Sequence, residues 1–304
     1  MSKQFTLNLP LAEVALDRDY LTRVRPDLTS ELSANSNTLV LVMFEQKVLL
    51  TESLSLKFLS TETVGIGRNF VYLGKTLSDG SPVVLVLLDS EEAEQVESDS
   101  TRWHHLRRSG AGLSSSDAAI FTQALALANW HENHSFCPSC GSITSSAQAG
   151  WVRVCEKESR ELYPRTDPAI IVGVVDEHDR ILLGSQGAWE DNRYSILAGD
   201  VEPGESLDAA VVREMFEEAG IVVADPIYLG SQAWPFPYSL MLGFMAKRIE
   251  GDAIPDGEEI VKLRWFSREE LLAESGSILL PGKLSIARAI IEHWLGQKLE
   301  GQDH

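Results

Sequence analysis

The residues best suited to chemistry are carboxylates. Glu214, Glu217 and Glu218 stand at i, i+3 and i+4, which sets them within one arc of a helix. Three like charges on adjacent turns destabilise a helix, most of all near its negative C-terminal end. A bound partner would offset that repulsion. Hard divalent cations such as Mg²⁺ or Mn²⁺ take carboxylate oxygens and bring phosphate oxygens with them. The bland alternative is a solvated acidic face. It accounts for the glutamates but not for Gly199, Glu205, Arg213 and Gly220 at their offsets.

A second group is Cys137-Pro138-Ser139-Cys140, with Cys155 the third and last cysteine. Three thiols cannot make a disulfide framework, so the chain is expected to be reduced and cytoplasmic. His104, His105, Arg107 and Arg108 also catch the eye, but paired histidines recur by chance, and ordinary surface or core roles are expected there; the alternative is a local basic patch of Arg102, Arg107 and Arg108.

These groups need elements to position them. The spacing predicts a helix from about Ser206 to Ala219, entered through a tight loop that Gly199 and Gly204 permit and stopped by Gly220. Val212, Met215, Phe216 and Ala219 are expected to form its inward arc. Around it fall a hairpin (Ala169 to Val175 and Arg180 to Leu183), a strand ending near Ala198, strands at Ile227 to Leu229, Leu240 to Ala246 and Val261 to Phe266, and a closing helix from Ile286 to Leu295. The first 130 residues read as strands at Thr38 to Phe44, Lys47 to Leu50, Phe70 to Leu73 and Val83 to Leu88, then a helix through Ala118 to Trp130 capped by Ser114, Ser115 or Ser116. Glu91 to Asp99 reads as a solvated acidic stretch. The two α/β parts share no fixed-period repeat, so any relation between them has to come from their folds.

Composition sets the outer bounds. The chain has 304 residues, 44% apolar and 23% charged, the mix of a globular protein with a sizeable core. Its 26 basic and 45 acidic residues give a net charge of −19. Such a surface repels phosphate backbones at long range and argues against a general nucleic-acid coat protein. It leaves room for an anionic small molecule, because a divalent cation inverts the local field. The N-terminal residues lack the pattern of a signal peptide, and the densest apolar runs, Leu39 to Phe44 and Val83 to Leu88, are far short of the ~20 residues of a membrane span. No membrane association is expected.

From Gly199 to Ile221 the chain matches the Nudix box: Gly, five residues, Glu, seven residues, Arg-Glu, an apolar residue, any residue, Glu-Glu, any residue, Gly, an apolar residue. Seven fixed letters at usages of about 7% arise by chance in roughly one window in 10⁸. Ser231-Gln232-Ala233-Trp234-Pro235-Phe236-Pro237-Tyr238-Ser239 resembles the signature of the NADH pyrophosphatase family within that superfamily, and Tyr163-Pro164-Arg165-Thr166-Asp167-Pro168-Ala169 resembles its lead into the catalytic domain. The specific likeness covers about residues 136 to 290.

The resemblance implies an α/β (α+β) chain: an N-terminal α/β domain over 1–130, a zinc-ribbon-like segment over 131–166, and a Nudix domain with a mixed sheet between helices over 167–304. It implies metal-dependent hydrolysis of the pyrophosphate of NAD(H) to nicotinamide mononucleotide and AMP, with NAD-capped RNA as a further substrate. Ala198, Glu214, Glu218 and Glu259 would hold Mg²⁺ or Mn²⁺, Glu217 would be a further ligand or orient water, and Arg213 and Glu205 would pair to brace the loop. Tyr163, Gln232, Trp234, Pro235, Phe236, Pro237, Ser239 and Ala287 would contact the dinucleotide. Cys137, Cys140, Cys155 and Glu158 would form the zinc site. The family is usually homodimeric.

Three residues depart from the family pattern. Glu158 replaces a fourth cysteine, leaving either a Cys₃Glu set that zinc accepts but uses less often than Cys₄, or ordinary thiols in a ribbon that folds without metal. Ala233 replaces the first proline of the signature, and Asp200 replaces a phenylalanine after Gly199. The last two keep open a different nucleoside diphosphate substrate, such as ADP-ribose or a dinucleoside polyphosphate. A non-catalytic nucleotide sensor is the reading from another class.

Overall fold

The structure, a computed structural model, describes residues 5, 9–67 and 69–300. The chain divides into two compact units, one of Met1–Ala12, Asp167–Ala233 and Ser239–His304, the other of Glu13–Thr166 and Trp234–Tyr238. Five residues of the aromatic signature therefore belong with the N-terminal half.

The C-terminal unit is built on strands β10 (Asp167–Val175), β11 (Ile181–Gln186), β12 (Leu197–Asp200), β13 (Val222–Trp234), β14 (Ser239–Glu250) and β15 (Ile260–Phe266). Their order is β13-β14-β10-β11-β15, with β12 paired to β10. The hairpin expected around Asp176 closes at Val175↔Ile181, and the Asp176 carboxylate accepts the backbone N–H groups of His178 and Arg180, a local side-chain substitute for ladder bonds. Residue alternation along β10 splits the core. Ile170, Val172 and Val174 pack with Val211 and Met215, whereas Ile171 packs with Ile286, Ile290 and Ile291. The sheet thus lies between two helices, Leu207–Ala219 and Ile286–Leu295, as the fold class requires.

The N-terminal unit carries β1 (Leu16–Asp17), β2 (Leu39–Phe44), β3 (Lys47–Leu49), β4 (Phe70–Thr76), β5 (Pro82–Leu87) and β6 (Trp103–His105), in the order β1-β4-β5-β2-β3-β6. Val40, Leu41 and Val42 are all fully buried, which explains an unbroken apolar run rather than an alternating one. The helix Ser115–Asn133 starts at Ser114, whose side chain accepts the N–H of Asp117. Glu91 and its neighbours form a short exposed helix, Ser90–Val96, closed by an Asp89 capping box.

Both sheets place a parallel pair, an antiparallel hairpin and an antiparallel last strand in the same order: β5 with β2, β3 and β6 in one, β14 with β10, β11 and β15 in the other. The relation that no sequence repeat shows is therefore one of topology. The N-terminal copy lacks a carboxylate helix: among the described residues between β3 and β4 there is no helix at all.

A third, small sheet consists of β7 (Thr144–Ala147), β8 (Val152–Cys155) and β9 (Glu161–Leu162); Cys155 ends β8, and Cys137 and Cys140 lie in the turn before β7. Among the described residues no helix is long and apolar enough to cross a membrane.

Candidate active site

The carboxylate helix, Leu207–Ala219, begins at Ser206, whose hydroxyl accepts the N–H of Ala209, and ends at Gly220 with φ 67°. One expectation about its faces is corrected. Met215 and Ala219 are buried, but Phe216 is 61% exposed and Val212 38%. Phe216 stands two residues, about 200° of helix rotation, from Glu214 and again from Glu218, and those glutamates point inward at 9% and 5% exposure. Ala210 and Val211 complete the buried arc.

Arg213 organises the entry loop. Its Nε and Nη2 donate to the two oxygens of Glu205 at 3.1 and 2.6 Å, a bidentate pair. Nη2 also donates to the carbonyl of Asp200 at 2.9 Å, and Nη1 to Glu214 at 2.7 Å and Glu217 at 2.9 Å. Glu205 in turn accepts the N–H of Glu202. These bonds hold the guanidinium charged and keep Glu205 below the usual carboxylate range. The loop, the helix and β12 are locked through one side chain. Asp200 uses its backbone here; its side chain is exposed.

Glu218 is left out of that network. Its Oε2 is buried and has no hydrogen-bond partner. Burial first, then the charges of Glu259, Glu214, Asp256 and Glu217, push its pKa up to about 8. Burial also raises Glu214, against the pull of Arg213. Gly199, on β12 beside Ala198, abuts Glu214 so closely that a Cβ would overlap the carboxylate. An orphaned buried carboxylate oxygen among four other acids, on a glycine-floored wall, is a donor set fit for a hard divalent cation.

Glu259 is exposed and accepts Gln186 Nε2 at 3.1 Å. The turn that presents it is wound on Asp256, whose carboxylate accepts the N–H groups of Glu258, Glu259 and Ile260. Gln186 and Asp256 were not among the residues singled out. Asp256 carries a turn-former's signal, whereas Gln186 carries none.

Of the residues expected to contact a dinucleotide, Gln232, Ser239 and Ala287 belong to the C-terminal unit and Tyr163 and Trp234 to Pro237 to the other. Ser239 opens β14 opposite Asp167, and Ala287 is buried at the start of the helix capped by Ser285. Gln232 is 1% exposed, and its amide is consumed by the backbone: Nε2 donates to Pro10 and Leu284, and Oε1 accepts from Ile286. It clasps the start of the Ala287 helix and has no free polar group to offer a ligand.

In the other unit Tyr163 is 62% exposed and donates to Glu161. Trp234 and Phe236 meet edge to face at 5.0 Å, with Pro235 and Pro237 between and after them. Asn129, 1% exposed, holds this loop by donating to the carbonyls of Pro235 (3.0 Å) and Pro237 (3.2 Å), and its own carbonyl accepts from Tyr238. Arg107 stacks on Phe236 at 4.2 Å and faces Trp234 at 5.6 Å. Neither Asn129 nor Arg107 was expected to serve the site, because a lone polar residue in an apolar helix and a surface arginine show no partner until the chain is folded.

The ribbon repeats one turn twice. The N–H of Gly141 bonds the carbonyl of Cys137, and the N–H of Ser159 that of Cys155, with left-handed φ of 72° and 55°. Glu158 therefore occupies in the second turn the place that Cys140 has in the first. One ligand atom from each of Cys137, Cys140, Cys155 and Glu158 lies within 4.8 Å of the others, a four-donor cluster of the size a tetrahedral zinc ion needs.

Three family models match successive stretches of the chain. Residues 32–130 match the NADH pyrophosphatase-like rudimentary NUDIX domain, 132–163 the NADH pyrophosphatase zinc ribbon domain, and 164–283 the NUDIX domain. The chain is 44% identical over 205 residues to a protein of Mycobacterium tuberculosis named NAD-capped RNA hydrolase NudC, covering 62% of this chain and 64% of that one. Proteins of the same name from Pseudomonas syringae pv. tomato and Stutzerimonas stutzeri are 37% and 38% identical. Those matches cover 72% and 73% of this chain and 75% and 76% of the relatives.

Proposed function

The chain belongs to the NADH pyrophosphatase family of the Nudix hydrolases, and from that membership and the carboxylate geometry we propose that it hydrolyses the pyrophosphate bond of NAD(H), giving nicotinamide mononucleotide and AMP. The same bond broken in a 5′-NAD-capped RNA leaves a 5′-monophosphate on the RNA. The observation that carries the reading is Glu218, a buried carboxylate with an unpartnered oxygen ringed by further acids.

Glu214 and Glu218, with Glu259 and the carbonyl of Ala198, would hold Mg²⁺ or Mn²⁺. Such an ion polarises phosphate and makes bound water acidic enough to attack. The protein's own residues do the rest. Arg213 and Glu205 fix the loop so that Glu214 cannot swing away, and Glu217, more exposed, would be a further ligand or orient water. Ser239, Ala287 and Tyr163 contact the dinucleotide, and Trp234 and Phe236, stiffened by Pro235 and Pro237, offer faces for base stacking. Gln232 acts at one remove, by holding the helix that carries Ala287. Cys137, Cys140, Cys155 and Glu158 hold a structural zinc ion. The protein works in the cytoplasm as a homodimer.

Glu218→Gln removes a charged ligand while keeping volume and shape. It should abolish metal-dependent turnover and leave the melting temperature equal or higher, because the cost of burying an ionisable group among other acids is gone. Turnover at the unmodified level in that variant would sink the assignment.

A further inference from the structure

Capped RNA poses an electrostatic problem. A body of phosphodiesters has to approach a protein of net charge −19, and long-range repulsion lowers the encounter rate unless a local surface reverses the sign. The N-terminal unit holds such a surface. A cleft of about 830 Å³ is lined by Arg23, Arg25, Thr29, Phe70, Ser146 and Gln148 among others, and among the described residues the charged ones in its lining are the two arginines. A second cleft in that unit, about 490 Å³, mixes Glu45, Asp89 and Glu132 with Arg153. There three carboxylates face one arginine, itself bonded to Thr144 and His131, so that cleft does not favour an anion.

Arg23 is held ready rather than neutralised. Its guanidinium carbon lies 3.6 Å over the Trp151 ring, which Arg18 also faces at 5.6 Å. Nη2 donates to the Arg18 carbonyl at 2.9 Å, while Nε is buried with no partner. The nearby carboxylate of Asp19 is taken by Lys75 and Tyr72, both at 2.8 Å. Among the described residues neither Arg18 nor Arg23 has an ion pair, and Arg25 pairs with Glu31, which does not line the cleft. Flat apolar surface accompanies the charge: Phe70 lines the wall, and Tyr20, three residues before Arg23 in the 3₁₀ turn Tyr20–Val24, is 69% exposed. Positive charge interleaved with aromatic rings and hydroxyls is the composition that holds a single-stranded nucleic acid without reading its sequence.

We propose that this cleft seats the body of a single-stranded RNA, its phosphodiesters against Arg23 and Arg25 and a base stacked on Phe70 or Tyr20. The proposal rests on the capped-RNA reading for its biological use, but the binding itself does not require the cap.

Two measurements separate the claims. The first is fluorescence anisotropy of an unstructured 5′-monophosphate oligoribonucleotide with full-length Glu218→Gln protein, alone and carrying Arg25→Gln or Arg23→Gln/Arg25→Gln. Expected are binding at low salt, a loss of about tenfold in the double variant, and a fall of about 0.7 in the salt slope per arginine removed. The second is turnover of NAD-capped RNA and of NADH by the same arginine variants with Glu218 restored. The KM for capped RNA should rise while NADH kinetics stay unchanged, which also shows that the variants fold. Arg25, exposed and away from Trp151, keeps the test alive should Arg23→Gln unfold. No binding of the uncapped RNA, or binding and salt slope indifferent to both arginines, overturns the cleft. RNA binding without cleavage of capped RNA overturns the substrate reading and leaves the cleft standing.

Discussion

Gly199 lies against the carboxylate of Glu214, and a single methyl group at that position would occupy the space the carboxylate fills. The glycine is thus required by the close approach of a strand backbone to a carboxylate, and its φ is not in the left-handed region. Gly199→Ala should push Glu214 off its Arg213 contact and weaken Mn²⁺ binding at least ~10-fold, the scale of losses when ligand orientation is disturbed. Calorimetric titration of Mn²⁺ into the purified variant checks it, with circular dichroism to show that the fold persists.

Arg213→Lys keeps the charge and loses the fork. Lysine cannot serve Glu205 with two parallel bonds while reaching Asp200, Glu214 and Glu217. Turnover of NADH should fall about 10- to 100-fold with little change in KM. A variant with normal kcat would show that the loop needs no such brace.

The metal-free protein should lose stability as pH rises. The folded pKa of Glu218, about 8, stands above its ordinary 4.5, so between those values the folded state holds a proton that the unfolded state has released. The contribution is complete below 4.5, declines through about 8 and is flat beyond. Melting temperatures measured in chelator at pH 5.5 and 8.5 should drop across that interval, and Glu218→Gln should flatten the drop. A drop unchanged in the variant assigns the effect elsewhere.

Most of the fold was legible because its cues are local. Serines before the helices at Ser115 and Leu207, glycine at 220 and the apolar period of β10 each act within a few residues. The inward face of the carboxylate helix was misread for a physical reason: Phe216 and Val212 are more apolar than Glu214 and Glu218, yet the cluster of acids is what the fold turns inward. Gln232, in a recognisable signature, looked like a ligand contact, but its partners Pro10, Leu284 and Ile286 come from distant chain segments. Asn129 drew no notice and Arg107 an ordinary role for the same reason.

The aromatic loop should depend on Asn129. Leucine in its place leaves the carbonyls of Pro235 and Pro237 without their donor, and a loosened Trp234–Phe236 pair should raise the KM for NADH more than it lowers kcat. Equal effects on both, or none, would make Asn129 a packing residue only.

The ribbon should bind one zinc ion per chain, released on titration with a thiol-blocking mercurial and detected with a chromophoric chelator. Glu158→Cys should tighten the site and Glu158→Ala loosen it, since thiolate is the softer and more usual donor. Absence of zinc from protein purified without chelator would contradict the four-donor reading.

The central claim is the bond that breaks. Purified protein incubated with NADH, NAD, ADP-ribose or a dinucleoside polyphosphate, with Mg²⁺ or Mn²⁺ and again with chelator, answers it by chromatography of the products. The account predicts metal-dependent appearance of AMP and reduced nicotinamide mononucleotide in equal amounts, fastest from NADH. Faster cleavage of ADP-ribose or the polyphosphate, or no cleavage of the dinucleotides with either metal, would contradict it.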